Sequence, residues 1–269
     1  MPWTGPPLTQ SNPIDGLLEF GLRTRPDDPA LVAIDSQVSW RQLNDLSDRL
    51  AAQYLALGLR PGDRIASLMP NRPALFVHYL ACLKAGLVAT PLNYRYMPPE
   101  MDHALAVSGA LVLLHHAERD QDVSRLTTTL PQGVIRFQGE PGAGRHYEQM
   151  IAEPMARQPL PSLDLDAPAF IYFTSGSTGK PKGVTHTRRT FGSMIASAMQ
   201  AMEFTDADIV MPGSSFSHIG GSLCGLAALA AGGRLVVPRS GDSSEFVALL
   251  RQFHPTALWM LPAALIGLV

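Results

Sequence analysis

Ten consecutive residues, 174–183, combine hydroxyl groups, glycines and lysines in an order that suits the binding of phosphate groups. They read TSGSTGKPKG. Glycine has no Cβ, so successive backbone N–H groups can turn inward and approach an anion closely. The hydroxyl groups add neutral donors, and Lys180 and Lys182 add positive charge. The chemistry that these residue types offer is the binding of a polyphosphate.

The segments on either side of residues 174–183 determine how this loop is presented. Residues 169–173 form an apolar run with aromatic side chains, which predicts a buried strand. Residues 184–203 show a helical pattern, so we expect the order strand, loop, helix. In that order the positive end of the helix would help to hold the bound anion. The alternative is a surface loop that is rich in Ser, Thr and Gly but has no ligand.

The loop differs from the Walker A loop of P-loop proteins. The pattern G-x-x-x-x-G-K-[ST], aligned on Gly179 and Lys180, requires glycine at position 174 and a hydroxyl residue at position 181. The chain has Thr174 and Pro181 there. A phosphate-binding loop of another kind is therefore expected.

Composition narrows the class of protein. The 269 residues are 46% apolar and 16% charged, which is typical of a globular chain with a sizeable core. The formal net charge of −2 gives no excess of positive charge that would indicate binding to nucleic acid or to an anionic membrane. The first residues lack the regions of a signal peptide, and no apolar run reaches the roughly 20 residues of a membrane span. Cys82 and Cys224 lie in apolar segments as reduced core thiols, so we expect a cytoplasmic protein.

Strands and helices alternate along most of the chain, which predicts an α/β fold with largely parallel sheets flanked by helices. Predicted strands cover residues 31–34, 38–40, 65–69, 87–90, 111–114, 169–173, 209–211, 235–237 and 258–261. Predicted helices cover residues 14–22, 41–57, 73–85, 98–108, 184–203, 220–231 and 243–253. We expect residues 1–13 to be a loose leader and residues 138–168 to be a connector with a weak helical pattern near 147–155.

The ten-residue loop resembles a family signature. It matches T-S-G-[ST]-T-G-x-P-K-G, the phosphate-binding signature of the acyl-adenylate-forming family, at every fixed position. This family includes acyl-CoA synthetases, the adenylation domains of peptide synthetases and the luciferases. Residues 38–43, 59–65 and 83–93 are similar to further family elements, and the likeness continues from about residue 14 to the end.

The resemblance implies the fold of the N-terminal large domain of these enzymes, with two α/β lobes, incomplete at the C-terminus. Residues 14–269 would form this partial AMP-binding domain. The first lobe would cover about 64–204, and the second about 14–63 together with 205–269. Relatives carry further along an aromatic-G-x-T-E motif, a ribose-binding aspartate and a small domain with a catalytic lysine. None of these is found after residue 184.

The resemblance also implies a reaction. A carboxylic acid attacks the α-phosphorus of ATP to give an acyl-adenylate and pyrophosphate, with Mg²⁺ on the nucleotide, and coenzyme A then takes the acyl group. We therefore expect an acyl-CoA synthetase whose small-molecule partners are a carboxylic acid, ATP and coenzyme A. Two alternatives stay open: the adenylation domain of a peptide or polyketide assembly line, and a truncated nucleotide-binding protein without catalysis.

Individual roles follow from the resemblance. Lys182 and Thr178 are expected to be catalytic, by stabilising the leaving pyrophosphate, and Thr174 is expected to contact the metal ion. His218 and Gly220 are expected to line the pocket for the acyl group. The alternatives there are a histidine satisfied by the backbone at a helix start and a glycine needed for close packing. The residues expected to bind the nucleotide are Thr174, Ser175, Gly176, Ser177, Thr178, Gly179, Lys180, Lys182 and Gly183.

Two pairs of basic residues have open or structural interpretations. Arg188 and Arg189 follow the loop and either approach the phosphate groups or are solvated. His115 and His116 end a predicted strand without Cys, His or carboxylate residues at metal-ligand spacing, so we expect them to be structural.

The last residues, 257–269, contain no charged or polar side chain. Leaving such residues in water forgoes roughly 1.5–3 kcal/mol for each large apolar side chain that burial would stabilise. We expect a missing C-terminal part or a partner chain to cover this apolar end. On this interpretation the 269 residues alone are expected to be inactive.

Overall fold

The structure is a computed structural model that describes residues 13–140, 142–153, 161, 164–174, 180–239 and 243–260. Its strands are β1 Pro29–Val32, β2 Gln37–Ser39, β3 Arg64–Leu68, β4 Val88–Pro91, β5 Val112–His116, β6 Val134–Phe137, β7 Arg145–His146, β8 Pro168–Thr174, β9 Lys182–Thr187, β10 Ile209–Pro212, β11 Arg234–Val236 and β12 Ala257–Trp259. Its helices are α1 Glu19–Thr24, α2 Trp40–Ala56, α3 Pro73–Ala85, α4 Pro98–Ser108, α5 Asp120–Val123, α6 Tyr147–Ala152, α7 Arg188–Ala201, α8 Ile219–Ala230 and α9 Ser243–Phe253. The predicted leader, apart from Pro13, and the apolar end beyond Met260 lie outside the described residues.

The described residues divide into two compact units. The first unit holds those up to Asp45, Asn71–Phe76 and those from Arg189 onward, and the second holds Leu46–Pro70 and Val77–Arg188. The first has a sheet in the order β12-β10-β11-β1-β2, and the second has one in the order β7-β6-β5-β3-β4-β8-β9. Strand pairs are parallel except for β1 with β2 and β8 with β9. The predicted α/β class is confirmed, and the lobe boundaries stay a prediction.

The core of the second unit lies where α4 covers its sheet. Strands β4 and β5 are buried along their whole length, as expected of strands with helices on both faces. Met101, Ala104 and Leu105 recur at three- and four-residue steps on α4, and they pack with Leu68 and Leu113. Burial of side chains of this size stabilises the fold by roughly 1.5–3 kcal/mol each. Helix α4 is thereby fixed to the sheet.

The core of the first unit is built in the same way. Helix α9 packs Phe246 and Leu249 with Val32, Met211 and Val236 of the three strands β1, β10 and β11. The predicted bounds of α9 agree with the structure because the apolar residues of its sequence keep to one face. This packing fixes the carboxyl end of β10, where one of the candidate site segments begins.

Three differences from the predicted elements bear on the fold and the site. The helix predicted over 14–22 is wrong in its bounds, since residues 13–15 form a 3₁₀ turn and α1 begins at Glu19. Strands β6 and β7 are not predicted, and β7 lies inside the predicted connector. Their patterns are weak because β7 has two residues and β6 carries the charged Arg136, which pairs with Asp120. The third difference, in residues 184–187, concerns the site.

The two cysteines are buried free thiols, as predicted. Burial raises the pKa of the Cys224 thiol to about 12 and also raises the pKa of the Cys82 thiol. No helix in the described part of the chain is both long enough and apolar enough to cross a bilayer.

Acid is expected to destabilise the second unit through His78. Its imidazole is fully buried, with Nδ1 2.8 Å from the Tyr54 hydroxyl, and burial lowers the pKa of His78 to about 3. An unfolded histidine has a pKa near 6.5, so between about pH 6.5 and 3 the unfolded chain binds a proton that the folded chain excludes. We expect the free energy of unfolding to fall by about 2–3 kcal/mol between pH 6.5 and pH 4 from this residue.

Urea titrations at each pH test this expectation. His78→Gln keeps a polar partner for Tyr54 but removes the titration, so it should flatten the dependence on pH. Equal pH dependence in wild type and His78→Gln would contradict the assignment.

Candidate functional site

The structure brings the two ends of the glycine-rich loop together. Strands β8 and β9 form an antiparallel hairpin in which Thr174 pairs with Lys182 and Phe173 pairs with Gly183. Directly opposite residues in such a pair have Cβ atoms roughly 4.5–5.5 Å apart. Thr174 and Lys182 therefore stand opposite each other at the base of the loop, with both side chains exposed.

The middle of the loop lies outside the described residues. This applies to Ser175, Gly176, Ser177, Thr178 and Gly179. Their predicted contacts with a nucleotide, and the catalytic role of Thr178, stay predictions.

The helix predicted to follow the loop directly is wrong in its first part. Residues 182–187 form β9, and α7 begins only at Arg188. Val184, Thr185 and Thr187 are β-branched and favour extended backbone, and β8 offers them a strand to pair with. The N-terminus of α7 therefore does not directly follow the loop. Lys180 and Lys182 are the described residues of the loop that carry positive charge.

The charge at the hairpin is available to a ligand. Within the described residues, the exposed Lys180 and Lys182 make no ion pair, whereas Lys84 is 2.6 Å from Asp48. Burial lowers the pKa of His186 on β9, which favours its neutral form. Positive charge on the hairpin is thus concentrated on the two lysines that flank Pro181.

The first arginine after the hairpin is not solvated. Arg188 is buried, and its Nη1 donates a hydrogen bond of 2.9 Å to the carbonyl of Leu83. Arg189 is exposed. Of the two interpretations left open for this pair, solvation is therefore wrong for Arg188.

Strand β8 positions Thr174 at the carboxyl edge of the sheet. Phe170 and Tyr172 share its buried face, and their rings stack with centroids 5.3 Å apart. Phe170 also meets Tyr79 edge-on and lies beside Ala89 of the parallel strand β4. In open α/β sheets, ligands bind outside the carboxyl ends of the strands. Thr174 lies at such an end.

The described residues suit a metal ion that arrives with a phosphate group. They contain no cluster of three or more His, Cys, Asp or Glu side chains that could hold a metal. Thr174 offers one exposed hydroxyl oxygen. Mg²⁺ prefers oxygen ligands and is often bound largely by substrate phosphates and water. Thr174 therefore fits a Mg²⁺ ion carried by a nucleotide, and its contact with the metal stays a prediction.

The two neighbouring histidines at the end of β5 have protein partners. The Nε2 atom of His115 is 3.0 Å from Asp120, and the Nε2 atom of His116 is 3.0 Å from Gln138. Burial disfavours the charged imidazolium form of His115 and therefore lowers its pKa. These contacts agree with the predicted structural role.

A second candidate segment, residues 213–218, follows β10 in the first unit. His218 is exposed and directly precedes α8, and its backbone N–H donates to the carbonyl of Ser215. A Cβ atom on Gly220 would lie 2.4 Å from the indole Cη2 of Trp259. Glycine at 220 is thus needed for close packing of Trp259 against α8. The acyl-pocket roles of His218 and Gly220 stay predictions.

A buried asparagine that the sequence analysis missed holds this segment. The Nδ2 atom of Asn71 donates to the carbonyl of Ser214 at 2.9 Å, and its Oδ1 accepts from the N–H of Phe216 at 2.8 Å. Asn71 is 2% exposed. The only sequence signal is an asparagine between two prolines, and it does not reveal a partner more than 140 residues away.

We expect Asn71→Ala to destabilise the first unit by about 2–3 kcal/mol, because it leaves the Ser214 carbonyl and the Phe216 N–H without their side-chain partner. Urea unfolding followed by tryptophan fluorescence measures this, since Trp40 and Trp259 lie in the same unit. Gln42→Ala, which removes an exposed hydrogen bond to the N–H of Ser39 in the same unit, should cost much less. Equal losses of unfolding free energy in the two variants would contradict the view that Asn71 holds Ser214 and Phe216 in place.

Known proteins resemble this chain in sequence over most of its length. A family model described as AMP-binding enzyme matches residues 18–269. The fatty acid–[acyl-carrier-protein] ligase ScoC of Streptomyces coeruleorubidus is 30% identical over 250 residues, which cover 91% of this chain and 47% of ScoC. A feruloyl-CoA synthase of an Amycolatopsis species is 31% identical over 230 residues, which cover 84% of this chain and 44% of that protein. The chain spans about half the length of the curated relatives it matches.

A solved structure shares the fold. The anthranilate CoA ligase AuaEII, crystallised with anthranoyl-AMP, superposes with a TM-score of 0.85 at 20% identity, over 92% of this chain and 49% of the ligase. This likeness confirms the α/β architecture expected from the sequence. The family match over residues 18–269, which includes the complete signature at 174–183, shows that the chain belongs to the family of AMP-binding, acyl-adenylate-forming enzymes.

Proposed function

We propose that the full product of this reading frame is an AMP-forming acid–thiol ligase. In the first step a carboxylate oxygen attacks the α-phosphorus of ATP, the bond to the bridging oxygen breaks, and pyrophosphate leaves. In the second step a thiol attacks the acyl carbonyl and AMP leaves. The observation that carries this proposal is the pairing of Thr174 with Lys182 at the base of a loop with the complete family signature.

Within this proposal, the hairpin residues bind and orient the β- and γ-phosphate groups. Lys182 and Lys180 supply positive charge that no carboxylate of the described residues neutralises. The charge on pyrophosphate grows as it leaves, so donors aimed at it stabilise the transition state more than the ground state. A Mg²⁺ ion bound with ATP would add Lewis-acid stabilisation of the same oxygens, with Thr174 as its protein contact.

The acid is proposed to bind near residues 213–218. These residues follow the carboxyl end of β10, whose last residue, Pro212, pairs with Trp259 of the parallel strand β12. Trp259 packs against Gly220 on α8, and the exposed His218 directly precedes this helix. An apolar wall with a few polar groups is typical of small-molecule sites. This arrangement supports an acyl pocket and leaves the identity of the acid open.

Coenzyme A is the proposed acceptor thiol, and a carrier protein is the second candidate. The similar feruloyl-CoA synthase is named for a coenzyme A product, and ScoC is named for transfer to an acyl-carrier protein. Both acceptors present a thiol to the same adenylate, so the first step is common to them.

Isotope exchange between ATP and pyrophosphate tests the proposal. The full reading-frame product would be assayed with a panel of aliphatic and aromatic acids, followed by coenzyme A or a carrier protein bearing a phosphopantetheine thiol. Exchange that depends on one class of acid is the expected result. ATP binding without exchange under any acid would favour a nucleotide-binding protein without catalysis and would contradict the ligase.

A further inference from the structure

A histidine from another element is bonded to the loop's carboxyl end. The Nε2 atom of His103, on α4, lies 2.9 Å from the carbonyl oxygen of Pro181. Both residues belong to the second unit, and the imidazole is half-buried. Pro181 lies between Lys180 and Lys182, the two cations of the candidate site.

The chemistry of the contact fixes the direction of the bond. A carbonyl oxygen only accepts hydrogen bonds, so Nε2 of His103 must carry the proton and donate it. The neutral ring meets this condition in one of its two tautomers, and the charged ring meets it as well. The bond therefore survives protonation of His103.

Orientation of the Pro181 carbonyl also orients Lys182. The peptide unit is planar, so the carbonyl of Pro181 and the N–H of Lys182 turn together. Proline has no N–H of its own, so its carbonyl is the only backbone hydrogen-bonding group through which residue 181 can be held. A donor at this oxygen thus fixes the orientation of the peptide unit between Pro181 and Lys182, and with it the direction in which the Lys182 side chain points.

Helix α4 is a firm support for that donor. The N–H of Met97 donates to the Glu100 carboxylate at 2.9 Å, which caps the start of the helix. The Asp102 carboxylate accepts from the backbone N–H groups of Thr127 and Thr128 at 2.9 and 2.8 Å. With its apolar face packed in the core of the second unit, α4 holds His103 in a fixed position.

We propose that His103 is a positioning residue for the phosphate site, holding residues 180–182 so that the ammonium group of Lys182 is preorganised for the phosphate groups of ATP. This inference rests on the proposed function, because it presumes that Lys182 binds the nucleotide. His103 does not touch the substrate itself. Its loss therefore affects the nucleotide and leaves the acid unaffected.

Steady-state kinetics and calorimetry on the full reading-frame product test the proposal. His103→Leu removes the donor at similar size, and we expect the KM and Kd for ATP with Mg²⁺ to rise by about threefold to tenfold, as for the loss of one hydrogen bond. The KM for the acid should not change. His103→Gln keeps an N–H donor at similar reach and should restore the KM for ATP to within about twofold of wild type.

Three further variants make the outcomes distinct. Asp102→Ala weakens the support of α4 but keeps the His103 donor, so it should lower Tm and raise the KM for ATP less than His103→Leu does. Val107→Ala, at an exposed position of α4, should change neither quantity. Lys182→Ala should weaken ATP binding more than any His103 variant. If His103→Leu does not fold, His103→Ala replaces it in the series.

Each result decides one point. A normal KM for ATP in His103→Leu, with weakened binding in Lys182→Ala, overturns the role of His103 and leaves the proposed function intact. If His103→Leu raises the KM values for ATP and for the acid equally, and Asp102→Ala does the same, His103 has a purely structural role. That result overturns the inference. Normal ATP binding in Lys182→Ala contradicts the proposed function itself.

Discussion

Replacing Lys182 with alanine is expected to slow ATP–pyrophosphate exchange by about a hundredfold to a thousandfold in the full reading-frame product. Lys182 pairs with Thr174 at the base of the signature loop, and no carboxylate among the described residues forms an ion pair with it. Its charge interacts more strongly with pyrophosphate as that group leaves, so its loss raises the barrier and weakens ATP binding as well.

The matched control is Arg125→Ala, which removes one exposed cation from the same unit. It should leave the exchange rate within about twofold of wild type, since exposed charges at a distance are screened. Lys182→Arg keeps the charge but places it on a larger, planar group, so it should restore only part of the rate. Equal slowing of ATP–pyrophosphate exchange in Lys182→Ala and Arg125→Ala would show that the exchange rate depends on the overall charge of the unit and not on the hairpin lysine.

Phe170→Ala should lower the free energy of unfolding of the second unit by about 3–5 kcal/mol. The ring is fully buried in β8, stacks on Tyr172 and meets Tyr79 edge-on, so its removal leaves a cavity and breaks two ring contacts. Because β8 ends at Thr174, we expect nucleotide binding to weaken together with stability. Urea unfolding followed by far-ultraviolet circular dichroism is the appropriate measurement, because Trp40 and Trp259 both lie in the other unit.

Val184→Ala is the control for this prediction. Val184 pairs with Tyr172 in the same hairpin but is 41% exposed, so its truncation should change stability by no more than about 0.5 kcal/mol. A loss for Phe170→Ala no larger than that for Val184→Ala would contradict the view that β8 anchors the loop.

Helices with clear end signals were predictable from the sequence. Helix α3 begins at Pro73 and stops before Gly86, and α4 begins at Pro98 and stops before Gly109. Proline fits the first helical turn, where its missing N–H is not needed, and glycine takes the positive φ that follows a helix end. The predicted bounds of both helices agree with the structure for this reason.

Features that depend on distant partners were not predictable. Residues 184–187 run directly into a helical pattern in the sequence, and their pairing with β8 lets the extended preference of their β-branched side chains prevail. Asn71 and His103 carry no local signal, because their partners are Ser214, Phe216 and Pro181. A single sequence shows residue types and spacing, and it does not show which side chains meet across the fold.

The candidate site contains both predictable and unpredictable features. The signature predicts that Thr174 and Lys182 contact phosphate, which stays a prediction, and the structure pairs the two residues in one hairpin. The expected help from a helix end was wrong, because α7 starts at Arg188. The two lysines therefore carry more of the proposed electrostatic role than the sequence analysis assigned to them.

The most direct test of the central claim is a crystal structure of the full reading-frame product with ATP and Mg²⁺. The account predicts that the β- and γ-phosphate oxygens lie within about 3 Å of the Thr174 hydroxyl or its metal ion and of the Lys182 ammonium group. A nucleotide bound elsewhere, with residues 174–183 in contact with solvent alone, would contradict it.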